Sequence, residues 1–375
     1  MARFSQPIVD TDVHHNWYPS EVASYFPKKW RDYVGAHPEW VSPPFNMNAL
    51  LSNGGWQLET FDPEFTFATD YEIMRRVHLD KHPFYRVLLT FNVGHYGSHL
   101  NHEFAVATAR ALNDWNIERW VDRDDRFYSV VAVTNGQPEE AAKEIRRVGG
   151  HDRVVGVVLS GNLLGRPYGD PIYDPIHRAA SEEGLHLVLH WGPGDNPTTG
   201  ITTAAAGQFG NGAIFGSQFS QQAMTYISSF ITNGTFEKFP DLKVLANEYG
   251  VGWLPWLLAM LDDSYELLKL ESSWVKKRPS EYFRSNIKLA TQPLEESPKS
   301  HQLIDLLEMT EGVEDLLCFS SDYPHWSADS PAHVARLFPK SWHRKVFCDN
   351  ACDFFGWDRP GEIVKTGPLP ASVSG

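Results

Sequence analysis

Stretches of β-prone residues alternate with stretches of helical spacing about eight times along the chain, at roughly 30- to 45-residue intervals. That alternation is the pattern of a parallel sheet whose strands are joined by crossover helices. The strand-like runs cover residues 8–13, 86–91, 127–133, 153–159, 185–190, 242–246, 287–291 and 316–319. Helical spacing fills 103–121, 138–148, 174–184, 218–232, 254–270 and 302–309, and a last helical region runs to about residue 355. The segment Pro138-Glu139-Glu140 opens its helix with proline first and acids in the first turn, where the helix dipole favours negative charge. Eight such units in 375 residues point to an α/β fold, a (β/α)8 TIM barrel, more than to an open doubly wound sheet. No glycine-rich phosphate fingerprint follows the first strand, which argues against a dinucleotide fold. We expect one barrel domain over residues 1–358 with long loop insertions at 16–70 and 192–217, and a loose C-terminal tail over 359–375.

Composition narrows the class. Apolar residues make up 42% and aromatics 13% of the chain, enough for a large core. The net charge of −14 disfavours nucleic acid and anionic membranes as partners, since both reward a basic surface. No apolar run is long enough to span a bilayer, and the N-terminus lacks the basic-then-apolar order of a signal peptide. Three cysteines, an odd and low count, suit a reducing compartment, so a cytoplasmic protein is expected. Cys348 and Cys352 stand one helical turn apart and read as buried helical thiols. Thirteen tryptophans, several between residues 17 and 56, suggest that part of the surface is covered in a homo- or hetero-oligomer.

In a barrel of this kind, chemistry sits at the C-terminal ends of the strands. The first strand ends in Asp10-Thr11-Asp12-Val13-His14-His15, and alternation puts Asp10, Asp12 and His14 on one face. Two acids and an imidazole side by side repel one another, lose solvation, or hold a cation. The strand at 185–190 ends in His190, the one at 242–246 runs into Asn247-Glu248, and the last ends in Ser320-Ser321-Asp322-Tyr323-Pro324-His325. One strand-end acid or imidazole alone reads as a cap. Acid and imidazole on both the first and last strands, which are neighbours in a closed barrel, with another imidazole between them, read as a metal site.

Several segments resemble the amidohydrolase superfamily, specifically the amidohydrolase family 2 group related to aminocarboxymuconate semialdehyde decarboxylase. They are the strand ends together with Leu112-Asn113-Asp114-Trp115, Tyr173-Asp174-Pro175-Ile176-His177, Phe239-Pro240-Asp241-Leu242-Lys243-Val244, Gly250-Val251-Gly252-Trp253-Leu254-Pro255 and Phe319-Ser320-Ser321-Asp322-Tyr323-Pro324-His325-Trp326. The resemblance implies that Asp12, His14, His190 and Asp322 hold one divalent ion. The family often carries a histidine after the sixth strand in an Ala-His-Gly context; here the stretch is Ala246-Asn247-Glu248-Tyr249-Gly250. Glu248 therefore stands as a replacement base or a carboxylate ligand. With His15 and His325 close by in sequence, a second ion is open, in which case Mn or Fe suits the carboxylates better than Zn. His15 and His325 read otherwise as groups that orient ligands or substrate.

Trp17, Trp191 and Trp326 flank these residues as candidate pocket walls, and Arg75, Arg76 and Arg166 are candidate clamps for a substrate carboxylate. His95, His99 and His102 lie after a strand, near the rim. The expected function is that of a metal-dependent decarboxylase or hydrolase on a small carboxylated substrate, with Asp322, Glu248 and His325 handling protons. Two further readings stay open: a dinuclear Fe/Mn oxygenase (hydroxylase) on the same scaffold, and a non-catalytic partner subunit that keeps one structural zinc.

Overall fold

A computed structural model describes residues 6–37, 56–61, 68–91, 101–162, 164–192, 216–217, 219–295, 299 and 301–361. Eight strands lie in chain order in one parallel sheet: β1 Ile8–His15, β2 Phe84–Phe91, β3 Phe127–Ala132, β4 Val154–Leu159, β5 His186–His190, β6 Val244–Asn247, β7 Ile287–Ala290 and β8 Leu317–Cys318. The ring is closed between β8 and β1. Thr11 N–H donates to Phe319 O at 3.1 Å, Asp322 N–H to Asp12 O at 3.0 Å and His14 N–H to Tyr323 O at 2.7 Å, and Val13 pairs in parallel with Tyr323. The expected (β/α)8 TIM barrel is the observed fold.

The strands are sequences such as Val-Val-Gly-Val-Val-Leu in β4, apolar on both faces because one face fills the barrel and the other meets helices. The helix Pro138–Val148 starts and stops where its signals put it, with Glu139 and Glu140 in the first turn and Arg146 and Arg147 in the last. Helical spacing over 254–270 proves to be two helices, Leu254–Asp263 and Tyr265–Glu271, joined at Ser264. The helix Pro279–Asn286 escaped the periodicity, although Pro279 opens it and Arg278 N–H donates to the Glu281 carboxylate at 2.8 Å, both start signals.

Below the barrel the helix Asn350–Phe355 and Trp357 cover the strands' entry side. Arg86 is enclosed there by the rings of Tyr85, Tyr128 and Trp357 at 5.0, 4.4 and 4.7 Å. All three cysteines are buried free thiols, and the Cys348 and Cys352 sulfurs are 3.8 Å apart. Among the described residues no helix is long and apolar enough to cross a membrane.

Candidate metal centre

Asp12 and His14 sit near the end of β1, His190 ends β5, Glu248 follows β6, and Asp322 and His325 follow β8. All are buried except His325, whose side chain is 15% exposed. His14 Nε2 lies 3.0 Å from Asp322 Oδ1 and 3.6 Å from Asp12 Oδ1, and His190 Nε2 lies 3.3 Å from Asp12 Oδ2. His325 Nδ1 donates to Asp322 Oδ1 at 2.5 Å. Two overlapping sets, Asp12–His14–His190 and His14–Asp322–His325, each bring their ligand atoms within 4.8 Å of one another.

The hydrogen bonds fix which ring nitrogens face inward. His14 Nδ1 lies 3.1 Å from Thr90 O and 3.0 Å from Phe91 O, both acceptors, so Nδ1 carries the hydrogen and Nε2 presents a lone pair. His190 Nδ1 donates to Trp191 O at 2.6 Å, with the same consequence at its Nε2. Two lone pairs therefore face two carboxylates, an arrangement that needs a proton or a cation between them. Asp12 Oδ2, His190 Nε2 and Asp322 Oδ2 are buried without a hydrogen-bond partner. Orphaned acceptors of this kind, two carboxylate oxygens and an imidazole, are the donor set of a divalent ion.

The electrostatics agree. Burial alone would lower the His14 imidazole, but Asp12 and Asp322 outweigh it and push the group up to about 9. Burial opposes ionisation of Asp322, yet His325 and His14 hold it at about 2, and His190 and His14 likewise hold Asp12 below the usual carboxylate range. Glu248 goes the other way: burial, then Asp322 and Asp12, push its carboxyl well up. Without a cation, a proton on His14 would keep the cluster in balance, and a divalent ion held by these residues would supply that charge instead.

A family model described as Amidohydrolase matches residues 11–357. The chain belongs to the amidohydrolase family. Two relatives are named gamma-resorcylate decarboxylase. The one from Polaromonas sp. is 25% identical over 300 residues, 76% of this chain and 87% of that one. The one from Rhodococcus jostii is 24% identical over 304 residues, 77% and 89%. Among solved structures, 5-carboxyvanillate decarboxylase from Sphingomonas paucimobilis superposes with a TM-score of 0.66 at 20% identity, covering 94% of this chain and all of that one. A dihydroxybenzoic acid decarboxylase from Polaromonas sp., solved with manganese and 2-nitroresorcinol, superposes at 0.63 and 18%, covering 96% and 99%.

The amidohydrolase barrel corrects one candidate ligand outright. His15 points away from the site, because successive residues of a strand face opposite sides and His14 takes the inward one. Its Nε2–H donates to Asn116 Oδ1 at 2.7 Å, and its ring stacks on Trp115 at 5.4 Å with Trp120 and Phe91 around it. Burial holds it neutral, at about 3. Glu248 is adjacent to the cluster, its Oε2 3.5 Å from His190 Nδ1, on the side of the ring away from the orphaned Nε2. Asp10 supports the site from outside, accepting from Ser321 N–H at 2.8 Å and pairing with His78 at 3.1 Å.

Other expectations also shift. Trp17 packs on Trp115 and Trp191 on Phe219, both buried, while Trp326 is exposed. Arg75 pairs with Glu72 and Asp80 on the segment leading into β2, and Arg166 pairs with Asp170 on the surface; neither is a substrate clamp. Arg76 and His102 are exposed, and His95 and His99 lie outside the described residues. Two site residues had no sequence signal. Thr90 of β2 donates its hydroxyl to Asp12 Oδ1, and Trp56, 269 positions away in the chain, stacks on His325 at 4.6 Å and pairs with it by a backbone bridge.

Proposed function

We propose that this amidohydrolase is a metal-dependent decarboxylase acting on a hydroxylated aromatic carboxylate. One observation carries the metal. Three buried ligand atoms, Asp12 Oδ2, His190 Nε2 and Asp322 Oδ2, lack partners at the strand ends where barrel enzymes do their chemistry. The fit is with Asp12, His14, His190 and Asp322 as holders of one divalent ion, Mn2+ being the ion in the structurally similar dihydroxybenzoic acid decarboxylase. The choice of decarboxylation over hydrolysis is supported by the names of the relatives and by the lack, in Ala246-Asn247-Glu248-Tyr249-Gly250, of the histidine that the family resemblance implies for activating water.

A divalent ion held by Asp12, His14, His190 and Asp322 would supply positive charge for the acidic oxygens of the substrate. The chain's own residues do the rest. Trp56 and His325 form a stacked aromatic wall beside the cluster, suited to a planar ring. Buried strand ends keep bulk water from the reacting carbon. The bond from ring to carboxyl breaks with its electron pair left on the ring carbon, that carbon takes a proton, and carbon dioxide leaves. His325 is placed to deliver the proton. Its Nδ1–H is held by Asp322, its Nε2 is the remaining exchange position, and it is the one member of the cluster that reaches solvent for recharging.

The oxygenase reading started from Glu248 in place of the family's histidine and from a second ion near His15 and His325; His15 faces the helices, and the decarboxylase names of the relatives lend that reading no support. The test is to load the protein with Mn2+ and incubate it with 2,6-dihydroxybenzoate and with 5-carboxyvanillate, following carbon dioxide release and the aromatic product. Release that EDTA abolishes is the expected result. Oxygen uptake, or full metal loading without turnover of an ortho-hydroxylated aromatic acid panel, would sink the reading, the second outcome pointing to a structural zinc subunit.

A further inference from the structure

The segment Gly250-Val251-Gly252-Trp253-Leu254-Pro255 is the most specific motif outside the cluster, and it begins two residues after Glu248. Its backbone forms a cradle that is already filled. Val251 N–H donates to both carboxylate oxygens of Glu295 at 3.1 Å, and Gly252 N–H donates to Oε1 at 3.0 Å. Successive N–H groups turned to one anion make such a concavity. Gly250 has φ of 69°, and a Cβ there would run into the Glu295 carboxylate, so glycine is required on two counts. Glu248 itself has φ of 63°, a left-handed backbone that costs a non-glycine residue about 1 kcal/mol or more. The turn leaving β6 is thus strained and must be held.

Glu295 does not hold it alone. The segment that carries it leaves β7 and is sewn to the β8 exit on its other side. Thr291 N–H donates to Cys318 O at 2.9 Å, Gln292 N–H to Ser320 Oγ at 3.1 Å and Leu294 N–H to Asp329 Oδ2 at 3.3 Å. Residues 291–295 therefore bridge the exits of β6 and β8, which present Glu248 and Asp322. On the far side the turn is braced by Trp253 Nε1–H, which donates to Tyr249 O at 3.1 Å and Gly250 O at 3.0 Å. A second brace runs from Tyr249 Oη through Gln222 to Gly192 O beside His190, with links of 3.2 and 3.0 Å.

We propose that Glu295 is a positioning residue, whose carboxylate in the Val251–Gly252 cradle locks the β6 exit so that the Glu248 carboxyl stays against His190. The proposal rests on the metal-dependent reading of the cluster. Glu248 lies 3.5 Å from the Nδ1 side of His190, whose Nε2 is an orphaned ligand atom. The His190 Nδ1–H goes to Trp191 O at 2.6 Å, so Glu248 acts on the ring by contact and not by its own hydrogen bond, and the low end of the roughly ten- to hundredfold range for groups behind a metal ligand applies. Loosening Glu295 forfeits that contribution through Glu248 and not through the fold.

A double-mutant cycle tests the route. Glu295→Ala, Glu248→Asn, which withdraws the carboxyl from His190 while tolerating the left-handed backbone, and the double variant are compared with wild type for Mn2+ affinity, by competition with a fluorescent chelator, and for turnover. Glu295→Ala is expected to lose about tenfold in the wild-type background. It should lose almost nothing further when Glu248→Asn is already present, because residues acting through one another are non-additive. Glu295→Gln, which keeps an oxygen for both N–H donors, should recover to within a few-fold of wild type. Equal losses in both backgrounds, or a Glu295→Ala variant indistinguishable from wild type, overturn the proposal. If Glu295→Ala does not fold, Glu295→Asp, with the charge kept and the reach shortened, takes its place in the cycle. If wild type binds Mn2+ but turns over no aromatic acid, the decarboxylase reading fails while the cycle, read on Mn2+ affinity, still decides the role of Glu295.

Discussion

Replacing Asp322 by asparagine separates a metal ligand from a structural ion pair. Asparagine is chosen because Asp322 has φ of 59°, a region that Asn tolerates and Ala does not, so the backbone is not penalised. Asn Oδ1 can still accept from His325 and His14, which now hold Asp322 Oδ1 at 2.5 and 3.0 Å. What is lost is the charge and the orphaned Oδ2. An ion that binds only the folded protein stabilises it by about 2.7 kcal/mol at a hundred times its Kd. With unfolding entropy near 2.1 cal/mol/K per residue, 375 residues give about 0.8 kcal/mol/K, so saturating Mn2+ should raise the wild-type midpoint by about 3 °C. Losing a direct ligand should weaken binding by about a hundredfold or more, since even outer groups cost up to that. At the same Mn2+ concentration the gain then falls to about 0.4 kcal/mol, a shift of about 0.5 °C. The metal-free variant should be less stable than the metal-free wild type at neutral pH, because the contacts with His325 and His14 that hold Asp322 at about 2 act on a charge that asparagine lacks. Differential scanning fluorimetry on EDTA-stripped protein with and without Mn2+ reads all four states. A full Mn2+ shift retained in Asp322→Asn refutes the ligand assignment, and no shift in wild type refutes the site.

His15→Leu should leave Mn2+ stoichiometry unchanged while lowering stability by about 1–3 kcal/mol, since Asn116 Oδ1 loses its donor in a dry interior; metal loss by mass spectrometry in that variant would return His15 to the site. His186 supplies a pH signature remote from the cluster. Burial, helped by Lys243, pushes its imidazole down to about 4, against about 6.5 in the unfolded chain. The unfolded state therefore binds the proton first, and this contribution is complete above pH 6.5 and lost as pH falls toward 4, by at most about 3 kcal/mol. In urea titrations at pH 7 and pH 4.5, His186→Phe should show a smaller loss between the two pH values than wild type; an equal loss would remove His186 as the cause.

The barrel was legible because its signals are local. Apolar β-branched runs and capped amphipathic helices recur along the chain, and the helix Pro138–Val148 is bounded by residues that name its ends. The cluster was legible because acids and imidazoles end strands that would otherwise stop in apolar residues. His15 was a failure of the same rule that placed His14. Alternation sends neighbours to opposite faces, and the sequence shows two histidines without showing that a helix with Asn116 and Trp115 waits behind the second. Trp56 and Glu295 were out of reach for a different reason. Each acts through a contact between distant segments, and only the closed barrel brings Trp56 to His325 or the β7 exit to the Gly250 turn.

Backbone direction at the two strand-end acids is the last piece that residue type could not convey. Asn247, the final residue of β6, sends its amide across to Thr11 O of β1 at 2.7 Å, and so already takes the inward direction. Alternation assigns the next side chain to the outside. The left-handed turn at Glu248 cancels that assignment and leaves its carboxyl beside His190. Asp322, also left-handed, likewise turns its carboxylate to His14 and His325. Such conformations persist only where surrounding bonds over-determine them. Here those bonds are the Glu295 cradle on one exit and, on the other, the β8-to-β1 ties at Asp12 O and Asp10. Two of the three acids of the site, Glu248 and Asp322, are thus set by backbone strain that neighbouring strand exits restrain, and the cluster's geometry depends on residues that never touch it.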